Sequence, residues 1–343
     1  MTSPQGPRTI RNATKDASTV NATVYTVETD EERETAVSAV EKAVLDGRTA
    51  VIPTDTVYGI AADAFSRGGV QQLLNAKGRS RQMPPPVLIS DASVLPGLAD
   101  ELNADTEALA EAFWPGALTL IVYSQPSLNW DLGETRGTVA LRVPDDDLTR
   151  EILRRTGPLA VSSANRTGQA AATNADEAVA QLGDRVELIV DDGVRPIGRA
   201  EVATEAEAVP STIIDLTGER PVVVREGALD LDSLRKVAPR LITRDELERE
   251  QEAAEESPDR TESIADGPGD GPHAAPATPG SVEEGLVTSH RSGSVDQARS
   301  VDQLRTRESA ENHRRRARQE DIRPLGVDEA RSLLFPESGD ERS

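Results

Sequence analysis

The sequence predicts an α/β domain over residues 23–240, with a twisted, mostly parallel or mixed sheet flanked by helices, followed by a disordered tail. Short β-branched runs alternate with segments of helical period, the pattern of a layered α/β domain. Several of those runs end in small hydroxylated residues, and open α/β sheets bind ligands at such strand ends. After residue 240 the composition changes to Glu, Gln, Asp, Ser, Pro and Gly, too poor in apolar side chains to offset chain entropy.

Residues 1–22 read as a disordered leader. A strand over Val24–Val27 follows, then a capping-box spacing, Thr29 with Glu32, before a helix carrying Ala36, Val37, Val40, Ala43 and Val44 on one face. The organising stretch runs from Val51 to Arg79. A buried strand ends at Pro53, Thr54, Asp55 and Thr56 turn side chains out of the sheet, and Gly59 relieves backbone crowding. A helix-like segment with Val70, Leu73, Leu74 and Ala76 then ends at Lys77-Gly78-Arg79, with Gly78 at the C-cap. Lys77 and Arg79 thus flank an exposed helix end, an arrangement that suits an anion site and a response to the helix dipole equally well.

Three prolines, Pro84 to Pro86, keep the next segment extended before a brief strand over Val87–Ile89. A helix over Thr106–Phe113 closes at Trp114-Pro115-Gly116, and an apolar run from Ala117 to Tyr123 follows. Alternation in Thr138–Val143 places Thr138, Ala140 and Arg142 on one face of a strand. A helix over Leu148–Arg155 leads to a strand over Pro158–Val161 that runs out into Ser162-Ser163-Ala164-Asn165. On its own that tetrapeptide reads as an ordinary turn or helix cap. A helix over Asp176–Leu182 and strands at Leu188–Val190, Pro210–Asp215 and Pro221–Gly227 complete the domain, the last ending in Arg225.

Composition narrows the chemistry. The 343 residues include no cysteine, and the three histidines, His273, His290 and His313, lie in the tail. Thiolate catalysis, histidine metal sites and a Ser-His-Asp triad are therefore excluded from residues 1–272. A formal net charge of −22, with 35 Asp and Glu against 21 Lys and Arg in residues 21–240, leaves no basic stripe for non-specific nucleic-acid binding. With no apolar run of 18 residues and no signal-like start, the expectation is a cytoplasmic protein without membrane attachment. In the tail, the basic run His313–Arg318 reads as a solvated charge cluster, and Val327–Phe335 as a short helix-forming segment.

Six ordered motifs, Pro53–Gly59, Lys77-Gly78-Arg79, Trp114-Pro115-Gly116, Ser162–Asn165, Pro210–Asp215 and Val224–Gly227, together resemble the YrdC-like family of L-threonylcarbamoyladenylate synthases. The resemblance covers residues 24–240. It implies condensation of L-threonine, bicarbonate and ATP to threonylcarbamoyl-AMP and pyrophosphate, with Mg²⁺ accompanying the ATP. Downstream tRNA-modifying proteins would take the intermediate, so tRNA is reached only indirectly; double-stranded RNA binding is a further family property. By motif, Thr56, Arg142 and Ser211 would hold L-threonine, with Arg142 taking the carboxylate as a bidentate pair. Arg79, Thr138, Ser163 and Arg225 would contact ATP, and Lys77, Arg79, Ser163 and Asn165 form the catalytic cluster. Met83, Leu88, Val161 and Ala171 depart from the family pattern. A non-catalytic RNA- or ribosome-binding module is the rival reading, against which the acidic body counts.

Overall fold

The sheet is mixed, as the alternation of strands and helices predicts. A computed structural model describes residues 8–9, 22–197 and 209–255, and the chain divides into two units after Glu248, the first holding the whole sheet. The elements, in order, are β1 (Arg8–Thr9), β2 (Thr23–Thr26), α1 (Asp30–Leu45), β3 (Ala50–Ile52), β4 (Gly59–Asp63), α2 (Arg67–Lys77), β5 (Val87–Leu88) and α3 (Leu95–Leu98). Then come β6 (Ala99–Asp100), α4 (Ala104–Phe113), β7 (Leu118–Ser124), β8 (Thr138–Arg142), α5 (Asp147–Thr156), β9 (Leu159–Ser163), α6 (Ala175–Leu182) and β10 (Leu188–Asp191). The last are β11 (Thr212–Asp215), β12 (Val222–Arg225), α7 (Leu231–Val237), β13 (Ile242–Thr243) and α8 (Arg244–Glu255). Strand order is β1-β2-β10-β3-β4-β9-β5-β8-β7-β11-β12-β13, with β6 on β7.

Alternation across the strands splits the core into two layers. Val51, Ile60 and Ala160 face one apolar cluster with α2 residues Val70, Leu73 and Leu74. Their neighbours Ile52, Ala61 and Leu159 face a second cluster with α1 residues Val37, Val40 and Val44 and α5 residues Leu148, Ile152 and Leu153. The capping box at Thr29 and Glu32 forms, and Gly78 adopts the left-handed C-cap at φ 65°. Gly59 meets the crowding expected of it: a Cβ there would lie 2.5 Å from Val161 Cγ1.

Two expectations shift. Residues 59–63 form a fully buried strand between β3 and β9; because both faces are covered, Gly-Ile-Ala-Ala-Asp shows no alternation from which a strand could be read. The domain also runs past residue 240, where the disordered tail was expected to begin. Leu241 and Ile242 are buried, β13 pairs in parallel with β12, and Thr243 and Glu246 cap the start of α8 reciprocally at 2.7 and 3.2 Å. In the leader, Arg8–Thr9 pair antiparallel with β2 and Ala22 is buried; residues 1–7 and 10–21, the His313–Arg318 run and Val327–Phe335 lie outside the described residues. Cutting the chain after Arg240 is therefore expected to cost about 3–6 kcal/mol relative to cutting after Glu255, the burial of one Leu and one Ile. Paired urea melts measure that difference; equal midpoints would return the boundary to 240. Among the described residues no helix is long and apolar enough to cross a membrane.

Candidate active site

Strand ends from both halves of the sheet open onto one cavity of about 500 Å³. Thr56, Arg79, Thr138, Arg142, Ser163, Asn165, Ser211 and Arg225 all line it, so six separated segments of sequence meet at one place. Apolar groups, among them Leu88, Ile121, Leu132 and Ile213, complete the wall, the mixture expected of a small-molecule site.

Each polar group is set by its local backbone. After β3, Thr54 closes a tight turn: its hydroxyl donates to Val57 O at 2.6 Å and accepts from the backbone N–H of Thr56 and Val57, each at 3.2 Å. The Thr56 hydroxyl lies 3.2 Å from that of Thr54. The turn thereby fixes the Thr56 hydroxyl, which also accepts from Arg142 Nη1 at 3.2 Å. Arg142, at the end of β8, donates from Nη2 to Asp55 Oδ1 at 2.6 Å and from Nε to Gly116 O at 2.9 Å. Asp55 and the Trp114-Pro115-Gly116 turn thus occupy two sides of the guanidinium. An incoming carboxylate would share it with Asp55.

On the opposite wall, Arg225 Nη2 donates to Ser211 O at 2.7 Å and to Ser211 Oγ at 3.0 Å. Ser211 Oγ also lies 2.8 Å from the Thr119 hydroxyl. Thr119 lines the cavity at 1 % exposure. Nothing marked it within its apolar run except that a hydroxyl in a buried strand needs a partner.

Lys77 departs most from expectation. Its side chain is buried at 1 % exposure and points beneath the cavity floor, with Nζ donating to Ser163 O, to Asn165 O at 2.8 Å and to Asn165 Oδ1 at 3.1 Å. Three ammonium protons meet three acceptors, leaving none for a ligand. The reason lies in the helix: Lys77 shares the inward stripe with Val70, Leu73 and Leu74, whereas Gly78 turns the chain and returns Arg79 to the cavity. Ser163 Oγ donates to Asn165 Oδ1 at 2.6 Å, and the Asn165 amide donates to Arg166 O and Gln169 O at 3.0 and 2.7 Å. Lys77 is thus the post that shapes the turn after β9.

The cavity carries an excess of positive charge. Arg79 donates from Nη1 to Ser162 Oγ at 3.2 Å, while its buried Nε has no partner. Burial lowers the Arg79 pKa. Burial, then Arg142, then Arg79 lower that of Arg225. Burial, then Arg79, lower the Lys77 ammonium to about 7. Asp55 is paired with Arg142, and an anion in the cavity would relieve the other cations. Among the described residues no group of three or more acidic, histidine or cysteine side chains could hold a metal ion.

Of the residues that depart from the family pattern, Leu88, Val161 and Ala171 line the cavity, and Met83 is 46 % exposed outside it. A further residue was not foreseen at all: Arg195, 3 % exposed, whose Nε donates to Thr54 O at 2.7 Å behind the threonine turn.

The family model named for Sua5, YciO and YrdC, described as "Telomere recombination", matches residues 42–227. The chain is 43% identical over 207 residues to a Mycobacterium leprae protein named "Putative threonylcarbamoyl-AMP synthase", covering 60% of this chain and 90% of that one. It is 33% identical over 195 residues to the Pyrococcus abyssi "Threonylcarbamoyl-AMP synthase", covering 57% of this chain and 54% of that one. In structure it resembles P. abyssi Sua5 complexed with L-threonine at a TM-score of 0.56 and 29% identity, covering 64% of this chain and 61% of that one. The chain thus spans between 54% and 61% of the archaeal protein and 90% of the mycobacterial one.

Proposed function

The chain belongs to the Sua5/YciO/YrdC family, and from that premise we propose that it is a threonylcarbamoyl-AMP synthase, condensing L-threonine, bicarbonate and ATP. The observation that carries the reading is the convergence of Arg79, Arg142 and Arg225 on one cavity, with Asp55 paired to Arg142 and no cysteine or histidine among the described residues. Such a site can align anions and stabilise developing charge, but it offers no thiolate or imidazole for covalent or proton-transfer chemistry.

Threonine and bicarbonate form a carbamate on the threonine nitrogen, releasing water. A carbamate oxygen then bonds to the α-phosphorus of ATP while the bond to the β-phosphate oxygen breaks, and pyrophosphate leaves with that electron pair. Thr56, Arg142 and Ser211 hold the amino acid; Arg79, Thr138, Ser163 and Arg225 contact the nucleotide. Lys77 and Asn165 hold Ser163 in place rather than touching substrate. The residues present do not fit a resident metal, because Asp55 is already bound to Arg142. Mg²⁺ enters this reading on the triphosphate, held by phosphate oxygens and water. The product would pass to tRNA-modifying proteins in the cytoplasm.

Pyrophosphate release by the full chain with ATP and Mg²⁺ is expected only when L-threonine and bicarbonate are both supplied. Release independent of threonine, or none from folded protein, would overturn the reading.

A further inference from the structure

We infer that Arg195 and Thr149 form a clamp behind the Pro53–Thr56 turn, positioning Thr56 and Asp55, and through them Arg142, for the amino-acid substrate. The inference rests on the synthase reading of the cavity and adds residues that do not line it.

Three successive carbonyls of the turn are taken from behind. Pro53 O accepts from Thr149 Oγ1 at 2.5 Å, Thr54 O from Arg195 Nε at 2.7 Å, and Asp55 O from the Ile197 N–H at 3.2 Å. Fixing three carbonyls fixes three peptide planes, and so the direction in which Asp55 and Thr56 leave the backbone. The clamp is itself held rigid. Arg195 Nη2 donates to Asp146 Oδ2 at 3.0 Å and Asp192 Oδ2 at 2.6 Å, Nη1 donates to Asp192 O at 2.5 Å, and the guanidinium lies 5.9 Å from the Tyr58 ring centroid. Asp146 uses its other oxygen to accept from the Thr149 N–H at 2.8 Å, joining the two clamp residues.

Space-filling does not account for this arrangement. Arg195 and Asp146 are 3 % and 2 % exposed, and apolar side chains of similar volume fill such a place at no desolvation cost. What an ion cluster adds is direction, since a guanidinium fork fixes several acceptors at once. The turn presents the Thr56 hydroxyl to the cavity, and Thr56 and Asp55 both engage Arg142, the cavity residue expected to meet the amino acid. The nucleotide contacts Arg79, Ser163 and Arg225 lie on other elements, so the clamp acts on one substrate more than on the other.

The test is steady-state pyrophosphate release by the full chain and by Arg195→Gln, Arg195→Lys and Thr149→Val, varying L-threonine and ATP separately, with melting temperatures alongside. Losing hydrogen bonds that hold the turn is expected to raise the threonine KM about tenfold in Arg195→Gln. The ATP KM is expected to stay within about twofold. Arg195→Lys, which keeps the charge but loses the fork, falls between, and Thr149→Val raises the threonine KM several-fold. Should the Arg195 variants not fold, Thr149→Val keeps the side-chain shape and decides alone. A lowered melting temperature with both KM values unchanged, or with both raised equally, would overturn the clamp as a positioning device. A wild-type chain with no threonine-dependent release overturns the synthase reading itself, and the clamp's proposed role with it.

Discussion

Arg79→Ala is expected to lower pyrophosphate release by about 10²- to 10³-fold, the usual cost of removing one preorganised charge from a reacting phosphate, while leaving the melting temperature unchanged or higher. The two halves of this result have one cause. Arg79 is half-buried, its Nε lacks a partner, its guanidinium donates to Ser162 Oγ at 3.2 Å, and it lowers the pKa values of both Lys77 and Arg225. In the empty protein it is a cation that other cations repel, so truncating it removes an unfavourable interaction. With a triphosphate bound, the same charge becomes a favourable one, which is how a site trades stability for function. Thermal shift separates the two states: ATP at 100 times its Kd stabilises by about 2.7 kcal/mol, and the variant should need far more ATP for the same shift. A variant with near-normal turnover, or one strongly destabilised without ligand, would place Arg79 among the structural cations instead.

Local rules made much of this legible. Strand ends, caps and turns are written in short windows, so Thr29 with Glu32, Gly78, and the strand mouths at Thr56, Ser163 and Ser211 could be read directly. The cavity itself is long-range, and spacing alone left Lys77 and Arg79, or Ser162–Asn165, as readily explained by helix ends and turns. What joined them was the order of the six motifs. The failures are equally physical. Lys77 follows an apolar stripe and so faces inward, yet a lysine at a helix end invites a solvent reading; only the three acceptors on β9 and its turn explain why the charge is tolerated inside. Gly59–Asp63 was hidden because burial on both faces erases alternation. Arg195 was hidden because its partners, Thr54, Asp146 and Asp192, lie up to 141 residues away in sequence and no local pattern predicts that meeting.

Lys77→Met supplies the second large effect and a pH signature with it. The buried ammonium holds Ser163 and Asn165, so its loss is expected to lower kcat/KM for ATP about 10²-fold through misplacement of the turn that carries Ser163. Its folded-state pKa, lowered to about 7 from an ordinary 10.5 by burial and then by Arg79, sets the pH dependence. Below pH 7 both folded and unfolded chains carry this proton, and the fold bears the full cost of a buried charge. Between pH 7 and 10.5 the unfolded chain binds more protons than the folded one, so this group makes stability rise with pH across that window. Activity runs the other way. A neutral amine has two protons for three acceptors and no charge to offer, so kcat/KM for ATP should fall as pH rises through about 7 in the wild type. In kcat the same limb should move to higher pH, because a bound triphosphate favours the charged form. Lys77→Met should show neither limb, only a lower, flatter profile. If the variant kept the wild-type limb, another group would own it, and Lys77 would be left as the structural post of the β9 turn without a part in the charge that meets the phosphates.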